Sequence, residues 1–476
     1  MSARPERAGR RPSVARAAER HFGRPWVGHA FIGFLVVCAL AGGASRIDST
    51  AQPIVQLASV AMIALALAVT PPRRFAEIAW PLAFAGACVA LVALQLVPLP
   101  PDLWTALPGR EFYARGAELA GIGQPWRPIS LSPDLTWASF AGLLPPLAAL
   151  LGLFAAGRAR TPSYLTVLLL IVLFSAGLGL AQLGAGPESG LRFYAITNNE
   201  APVGLFANRN HQALLIALAV PMAAAWARLH QGREVRISPR WLAIGVALAL
   251  IPIMLLTGSR SGMALTAVGL VPAAAFLYAR GRSSRRPRLR PLRDVLLPAG
   301  LIVLVTVLSV LLSRAVALDR LLGADWGSEN RLRVVEPALR MAGEYFPVGS
   351  GFGTFDPAFR RFEPFEMLSS SYMNQAHSDL LQLVIEAGAF GLALLLVYLV
   401  WWGRRTIALW RAAPDRAAPP LLGRLGSVAT GMILLSSLAE YPLRTPFFAV
   451  LFVIASVWMM IDRAAAGTGD RRESAN

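Results

Sequence analysis

The sequence has few charged residues and no lysine at all. Only 15% of its 476 residues are charged, and its 45 basic residues are all arginine. Soluble domains usually carry about 25% charged residues, so this composition excludes an ordinary soluble enzyme, a disordered chain and a coiled coil. The mean hydropathy of +0.53 indicates instead a protein that crosses a membrane several times.

Cysteine is also scarce, and no cluster of metal-ligand side chains stands out. The two cysteines, Cys38 and Cys88, both fall inside apolar segments. This placement supports neither a disulfide framework nor a metal site. We therefore expect a protein that works without a metal ion or other cofactor.

Apolar runs predict an all-α polytopic membrane protein with about twelve transmembrane helices, at about 20 residues per span. The runs lie at about 27–43, 54–70, 76–97, 135–156, 163–183, 205–227, 240–257, 261–280, 295–314, 377–402, 425–439 and 446–462.

The uneven distribution of arginine predicts the orientation of these helices. With both ends in the cytoplasm, the cytoplasmic segments hold 30 of the 45 arginines, as the positive-inside rule requires. The predicted organisation is a basic cytoplasmic tail at 1–26, helices 1–5 within 27–204 with a periplasmic loop near 98–134, helices 6–9 within 205–314, a large periplasmic loop at 315–376, helices 10–12 within 377–462, and a cytoplasmic tail at 463–476.

The net charge of +18 also raises the possibility of nucleic acid binding. The most basic segment, 280–293, falls on the predicted cytoplasmic side, where contact with anionic lipid headgroups explains it better. We therefore expect membrane lipids, and no nucleic acid, among the partners. The tryptophans of the first long loop are expected to anchor it at the membrane interface.

Two polar motifs lie where predicted helices begin on the periplasmic side. The first is 206-FANRNHQALL-215, with Asn208, Arg209, Asn210 and His211 at the start of the sixth helix. It is either a polar helix cap or an anion site, because a helix N-terminus with a guanidinium attracts phosphate. The second is 257-TGSRSG-262, where a tight turn explains the glycines but leaves Arg260 unexplained, because arginine is costly inside a membrane.

The long second loop and the helix after it carry a further set of polar residues. Arg331, Arg333 and Arg340 are spaced so that some could share a helical face. A tight turn explains the glycines of 349-GSGFG-353 better than a phosphate loop does. His377 opens the tenth helix in 375-QAHSDLLQLVIEAGAFG-391. The helix dipole there disfavours imidazolium, and a neutral imidazole is a competent general base.

Four acidic or basic side chains near the last helices complete the candidates. Asp379 follows His377, Glu386 lies within the apolar run and should be paired or face the bundle, and 439-AEYPLRTP-446 brings Glu440 and Arg444 to the same membrane face.

These motifs together resemble the O-antigen ligase and polymerase family of bacterial membrane glycosyltransferases. The matches are 206-FANRNHQALL-215, 257-TGSRSG-262, Arg331 followed by 347-PVGSGFGTF-355, and 376-AHSDLLQLVIEAGAFG-391, in the family's order around a large periplasmic loop. The resemblance implies a GT-C-like helical fold, an inner-membrane location and a metal-independent active site that faces the periplasm.

The resemblance also implies a reaction and the roles of individual residues. A glycan would pass from undecaprenyl pyrophosphate to an acceptor hydroxyl on another glycan, on the lipid A core or on a protein. Arg209 and Arg260 would engage the pyrophosphate, and His377 would act as base. The remaining substrate-binding candidates are Asn208, Asn210, His211, Arg331, Asp379 and Arg444.

Two positions depart from the family pattern, and two questions of function stay open. Ser378 follows His377 where the family often has Asn, and Val335 replaces a common aromatic residue, which puts the local packing of the loop in doubt. Ligase and polymerase are both compatible with the motifs. A transporter or flippase of lipid-linked glycans is the alternative function, although its binding groups would be expected near the membrane midplane.

Overall fold

The computed structural model describes residues 25–46, 49–157, 163–231, 238–278, 326–368, 373–412 and 418–460, with the backbone alone for 326–332 and 418–419. Several predictions lie outside the described residues. These are the basic tail up to residue 24, the basic segment 280–293, the predicted helix at 295–314, the tail at 463–476 and the side chain of Arg331.

The all-α class is confirmed, since most of the described residues lie in helices and the strands there have two residues each. The helices are α1 (Pro25–Ala41), α2 (Gln52–Val69), α3 (Ala79–Leu94), α4 (Pro101–Thr105), α5 (Glu111–Leu119), α6 (Pro133–Ala141), α7 (Leu144–Ala155), α8 (Ser163–Ala185), α9 (Arg209–Leu229), α10 (Pro239–Leu256), α11 (Arg260–Tyr278), α12 (Trp326–Tyr345), α13 (Phe355–Phe359), α14 (Asp379–Arg411), α15 (Ala418–Ser436) and α16 (Pro446–Met460).

Short elements fill some of the connections. Within the described residues, 3₁₀ helices cover Pro72–Ile78, Phe365–Met367 and Pro442–Arg444. An antiparallel pair of two-residue strands, β1 (Pro98–Leu99) and β2 (Arg127–Pro128), closes the first long loop.

Eight helical segments in the described part of the chain are long and apolar enough to span a membrane, and three shorter apolar helices accompany them. Each coincides with a predicted apolar run, so eleven of the twelve predicted segments are helical there. One run, 135–156, is divided in two at Gly142 and Leu143, where α6 ends and α7 begins.

α9 is the central helix of the bundle, because nearly all of its residues are buried. α11 lies alongside it in the same direction. Gly262 near the start of α11 faces Ala213, and Gly269 two turns later faces Ala217 and Pro221. A Cβ atom on Gly262 would lie 2.4 Å from that of Ala213, so glycine is what allows the two helix starts to come this close.

Candidate functional site

The first turn of α9 is held by side-chain caps. Asn208 has an extended backbone and accepts a hydrogen bond from the Asn210 N–H at 2.8 Å. The backbone N–H of Arg209 donates to Oδ1 of Asn198 at 2.9 Å. Arg209 is therefore the first residue of a buried helix, at the end where the helix dipole favours an anion. Both interpretations of this motif, cap and anion site, are compatible with this geometry.

The connection between α15 and α16 joins this motif to His377. Nδ2 of Asn210 donates to Oε1 of the buried Glu440 at 2.7 Å, and Nδ2 of Asn208 donates to Oη of Tyr441 at 3.2 Å. The Tyr441 ring contacts the rings of both His211 and His377, with centroids 5.2 Å away in each case and interplanar angles of 84° and 70°. These contacts form a continuous path from the start of α9 to the residues before α14.

His377 lies just before α14 in a constrained backbone. Its φ of 50° is the one positive φ among the described residues other than glycine. Ser378 is the N-cap of α14 and accepts a hydrogen bond from the Leu381 N–H at 3.3 Å. The departure from the family's usual Asn at this position therefore retains a good capping residue.

Arg260 begins α11 at the same end of the bundle as Arg209. The preceding Ser259 is buried, and its Oγ accepts a hydrogen bond from the Gly262 N–H at 3.1 Å. The Arg260 side chain is exposed. Because α11 packs directly against α9, the two arginines stand at the starts of two neighbouring parallel helices.

Asp379 and Arg444 belong to a buried charged network. Nη2 of Arg444 donates to Oε2 of Glu386 at 2.9 Å, and its Nε lies 3.6 Å from Oδ1 of Asp379. Asp379 also accepts hydrogen bonds from Oγ of Ser437 and from the Leu443 N–H. The expected pairing of Glu386 is thus provided by Arg444, and Nε2 of Gln382 donates to its other oxygen at 2.9 Å.

The glycine-rich segment packs against a break in α14. Gly388 has φ 55° and ψ −140°, which interrupts the helix. The N–H groups of Ser350 and Gly351 donate to the carbonyl oxygens of Ile385 and Glu386 at 2.9 and 3.0 Å. A Cβ atom on Gly349 would lie 2.5 Å from the Glu386 carbonyl oxygen. These glycines therefore serve a close backbone contact, in agreement with the turn interpretation.

The loop arginines lie on α12, as their spacing suggested. Arg333 is exposed, and Arg340 makes a long surface ion pair with Glu336 at 3.9 Å. Val335, which replaces the family's common aromatic residue, is 43% exposed, whereas its neighbour Val334 is buried. The replacement at Val335 therefore leaves the buried side of this helix intact.

The two long loops pack together through a buried arginine. Arg110 is fully buried and donates to the carbonyl oxygens of Pro108, Ile129 and Gly349. Burial lowers the pKa of its guanidinium to about 10, and the three carbonyl oxygens hold it in place. Trp104 in this loop is also buried and donates to the Pro128 carbonyl oxygen at 2.8 Å. The prediction of interfacial anchoring is therefore wrong for Trp104, which serves the packing of the loop.

A polar cavity of ≈ 550 Å³ opens beside the His377 segment. Asn374, Gln375 and Asp379, which flank His377 in the sequence, line it together with Arg444. Arg209, Arg260 and His377 are not among its lining residues. No group of three or more His, Cys, Asp or Glu side chains in the described ranges is arranged to hold a metal ion.

A model of the family described as O-antigen ligase matches residues 244–396, about a third of the chain. Over this region the chain is similar to that family, as its motifs suggested. The apolar helices indicate a multi-pass membrane protein, and the match supports membrane glycan processing of the O-antigen ligase or polymerase kind. No curated protein matches the chain.

The matched region contains only part of the candidate site. It includes Arg260, Arg331 and His377 but neither the motif around Arg209 nor the Glu440–Arg444 segment. Contacts in the folded chain bring these outer segments to the matched ones. The sequence did not identify Tyr441 as a site residue. The available signal was its position beside Glu440, in a polar segment between two apolar runs.

Proposed function

We propose that the protein transfers a glycan from undecaprenyl pyrophosphate to an acceptor hydroxyl on the periplasmic side of the bacterial inner membrane. The observation that carries the proposal is the shared contact path at the starts of α9, α11 and α14. Glu440 and Tyr441 connect the Arg209 motif to His377, while Gly262 places the Arg260 end of α11 against α9.

In this reaction the acceptor hydroxyl loses its proton to the neutral imidazole of His377. The acceptor oxygen forms a bond to the anomeric carbon of the donor glycan, and the bond from that carbon to the pyrophosphate oxygen breaks. Undecaprenyl pyrophosphate leaves with the electron pair. Guanidinium groups of Arg209 and Arg260 meet the charge that develops on it, a form of stabilisation that is often the largest catalytic term. Direct displacement would invert the configuration at the anomeric carbon.

The arginine roles follow from general chemistry. A guanidinium offers a planar fork of donors that matches two oxygens of a phosphate. The positive end of a helix dipole adds to this attraction. Arg209 and Arg260 each open a helix, so each combines both sources of positive potential.

The test is reconstitution of the full chain in vesicles with a labelled undecaprenyl pyrophosphate glycan and a candidate acceptor. We expect a longer glycan product, detected by mass, with release of undecaprenyl pyrophosphate. Lipid A core and a second lipid-linked repeat are supplied in separate reactions, which distinguishes ligase from polymerase. Movement of the glycan across the vesicle membrane without any joined product would overturn the proposal in favour of a transporter.

A further inference from the structure

His377, the proposed base, depends on its neighbours for its backbone conformation. Its φ of 50° lies in the left-handed region, which a residue other than glycine keeps only where the surrounding structure imposes it. After His377, the N–H of Asp379 donates to the carbonyl oxygens of Ser437 and Glu440 at 2.9 and 3.1 Å. The chain on this side of His377 is therefore anchored to the connection between α15 and α16.

Before His377, the chain is anchored by the side chain of Gln382. Its Oε1 accepts a hydrogen bond from the Ala376 N–H at 3.0 Å. Gln382 lies near the start of α14, and only 1% of its surface is exposed. Because Ala376 directly precedes His377, this buried hydrogen bond holds the chain beside the left-handed residue.

The Glu386 carboxylate determines which way the Gln382 carboxamide faces. A carboxamide has one end that donates and one that accepts, whereas a carboxylate only accepts. Nε2 of Gln382 donates to Oε1 of Glu386 at 2.9 Å, so the oxygen of the carboxamide must point to Ala376. Glu386 is itself held in place, because its carbonyl oxygen accepts from the Gly351 N–H and from Nε2 of Gln95 at 3.0 and 2.9 Å.

We infer that Gln382 is a positioning residue for His377, and that it holds the base in its left-handed backbone conformation through the Ala376 N–H. The inference rests on the proposed function and deepens it, because it adds a residue that acts through His377 rather than on the glycan. A base must lie within hydrogen-bond reach of the proton that it takes. A displaced His377 would therefore slow transfer without weakening the binding of either substrate.

The first test removes the carboxamide and keeps the length of the side chain. In the full chain reconstituted in vesicles, Gln382→Met should lower kcat for glycan transfer by about tenfold to a hundredfold, the effect of a small displacement of a catalytic group. The KM values for donor and acceptor should stay unchanged. A normal kcat, or a rise in either KM as large as the fall in kcat, would overturn the inference.

The second test uses pH to distinguish positioning from packing. In Gln382→Glu, a protonated carboxyl group reproduces the carboxamide, because its carbonyl oxygen accepts from the Ala376 N–H and its O–H donates to Glu386. Once ionised, it faces the Glu386 carboxylate and is repelled. The rate of transfer relative to wild type should therefore be highest at low pH and fall as the pH rises. The range is about pH 5 to about pH 9, which spans the titration of histidine.

A control variant separates this effect from added charge alone. The charged side chains near position 382 are Asp379 and Glu386 on α14, Arg444 and Glu440 from the connection between α15 and α16, and Arg46 and Asp356 in the wall of the polar cavity. All are present in wild type and variants alike. Gln56 lines the same cavity from α2, and the relative rate of Gln56→Glu should not change with pH. An equal fall in Gln56→Glu would overturn the inference.

Exchange of the two side chains provides a rescue. Glu386→Gln alone gives Arg444 and Gln382 one acceptor oxygen in place of two, so one of these donors meets an N–H group. Combining it with Gln382→Glu restores each pair, because the carboxylate at position 382 accepts from Ala376 and from the new carboxamide, whose oxygen accepts from Arg444. Near neutral pH, the double variant should transfer glycan about tenfold faster than either single variant. A double variant no faster than the slower single variant would contradict the inference.

Two further outcomes separate positioning from folding and from the reaction itself. All rates refer to equal amounts of folded protein, measured at each pH by equilibrium unfolding, and the exchange variant decides if Gln382→Met does not fold. Loss of transfer in Gln382→Glu that coincides with loss of folded protein would show a purely structural role and overturn the inference. Recovery of its relative rate at high pH would also overturn it, because the new charge would then act only on the protonation of His377. Absence of product in the wild type with every donor and acceptor would instead overturn the proposed function, and the inference with it.

Discussion

Removal of Arg444 tests how far the candidate site depends on its charged network. The Glu386 side chain is fully buried, and that of Arg444 is 21% exposed. Arg444→Gln leaves Glu386 with the Gln382 amide as its remaining partner in the network. Truncating one partner of a buried ion pair typically costs about 3–5 kcal/mol, and we expect a loss of this size in the free energy of unfolding.

A double-mutant cycle separates the pair from its surroundings. Glu386→Gln alone should cost less, because Arg444 keeps Asp379 at 3.6 Å. In the double variant, Glu386→Gln should recover about 2–3 kcal/mol of the unfolding free energy that Arg444→Gln loses. This is the upper part of the range of coupling energies between contacting residues. The assay is equilibrium unfolding in mixed detergent micelles, followed by helical circular dichroism.

The control cycle uses an exposed pair on α12. Glu336 and Arg340 are 84% and 60% exposed and lie 3.9 Å apart. Exposed pairs at this spacing contribute about 0.3–0.5 kcal/mol, so Arg340→Gln and Glu336→Gln should be nearly additive. If the coupling free energy between Arg444 and Glu386 is no larger than that of the control pair, the interpretation of Glu386 as a buried, paired carboxylate is wrong.

Three further substitutions test the proposed chemistry and the backbone that supports it. His377→Ala should lower the rate of glycan transfer by about 10²–10⁴-fold, the usual contribution of a general base, with unchanged membrane insertion; normal activity would remove it from the mechanism. Arg260→Lys retains the charge but loses the planar fork, and should reduce transfer at least about tenfold, while Arg404→Lys, exposed on α14, should be silent. Gly388→Ala should destabilise the fold by more than about 1–3 kcal/mol, because φ is 55° and the new Cβ would lie 2.1 Å from the Pro347 carbonyl oxygen. Gly403→Ala on the same helix meets open space and should be neutral or stabilising in the same unfolding assay.

The helices could be predicted because each depends on local composition. An apolar run long enough to cross a membrane folds as a helix, since the membrane satisfies no backbone hydrogen bonds. The runs at 54–70 and 163–183 correspond closely to Gln52–Val69 and Ser163–Ala185. The break at Gly388 could not be predicted in this way, because a glycine within an apolar run is compatible with an uninterrupted helix. The break after Ala141 has a sequence signal, because Pro145 and Pro146 lack the backbone N–H groups that would continue the helix.

The polar residues of the site could be selected from the sequence, but their partners could not. Arg209, Arg260 and His377 stood out because polar groups are costly near a membrane. Arg110 did not stand out, because an arginine in a loop is ordinarily solvated. Its burial depends on Gly349, more than 200 residues away, and pairing over such a distance leaves no local pattern.

Arg444 shows why the chemical type of a residue does not by itself define its role. The sequence places it among the substrate-binding candidates, yet in the folded chain its guanidinium is paired with Glu386 and Asp379. A guanidinium held by two carboxylates is partly neutralised, which weakens its attraction for a pyrophosphate. Its position in the wall of the polar cavity instead links the stability of the connection that carries Tyr441 to the shape of that cavity. We therefore expect Arg444→Gln to lower glycan transfer only as far as it destabilises the fold, and loss of transfer in a variant of wild-type stability would contradict this structural role.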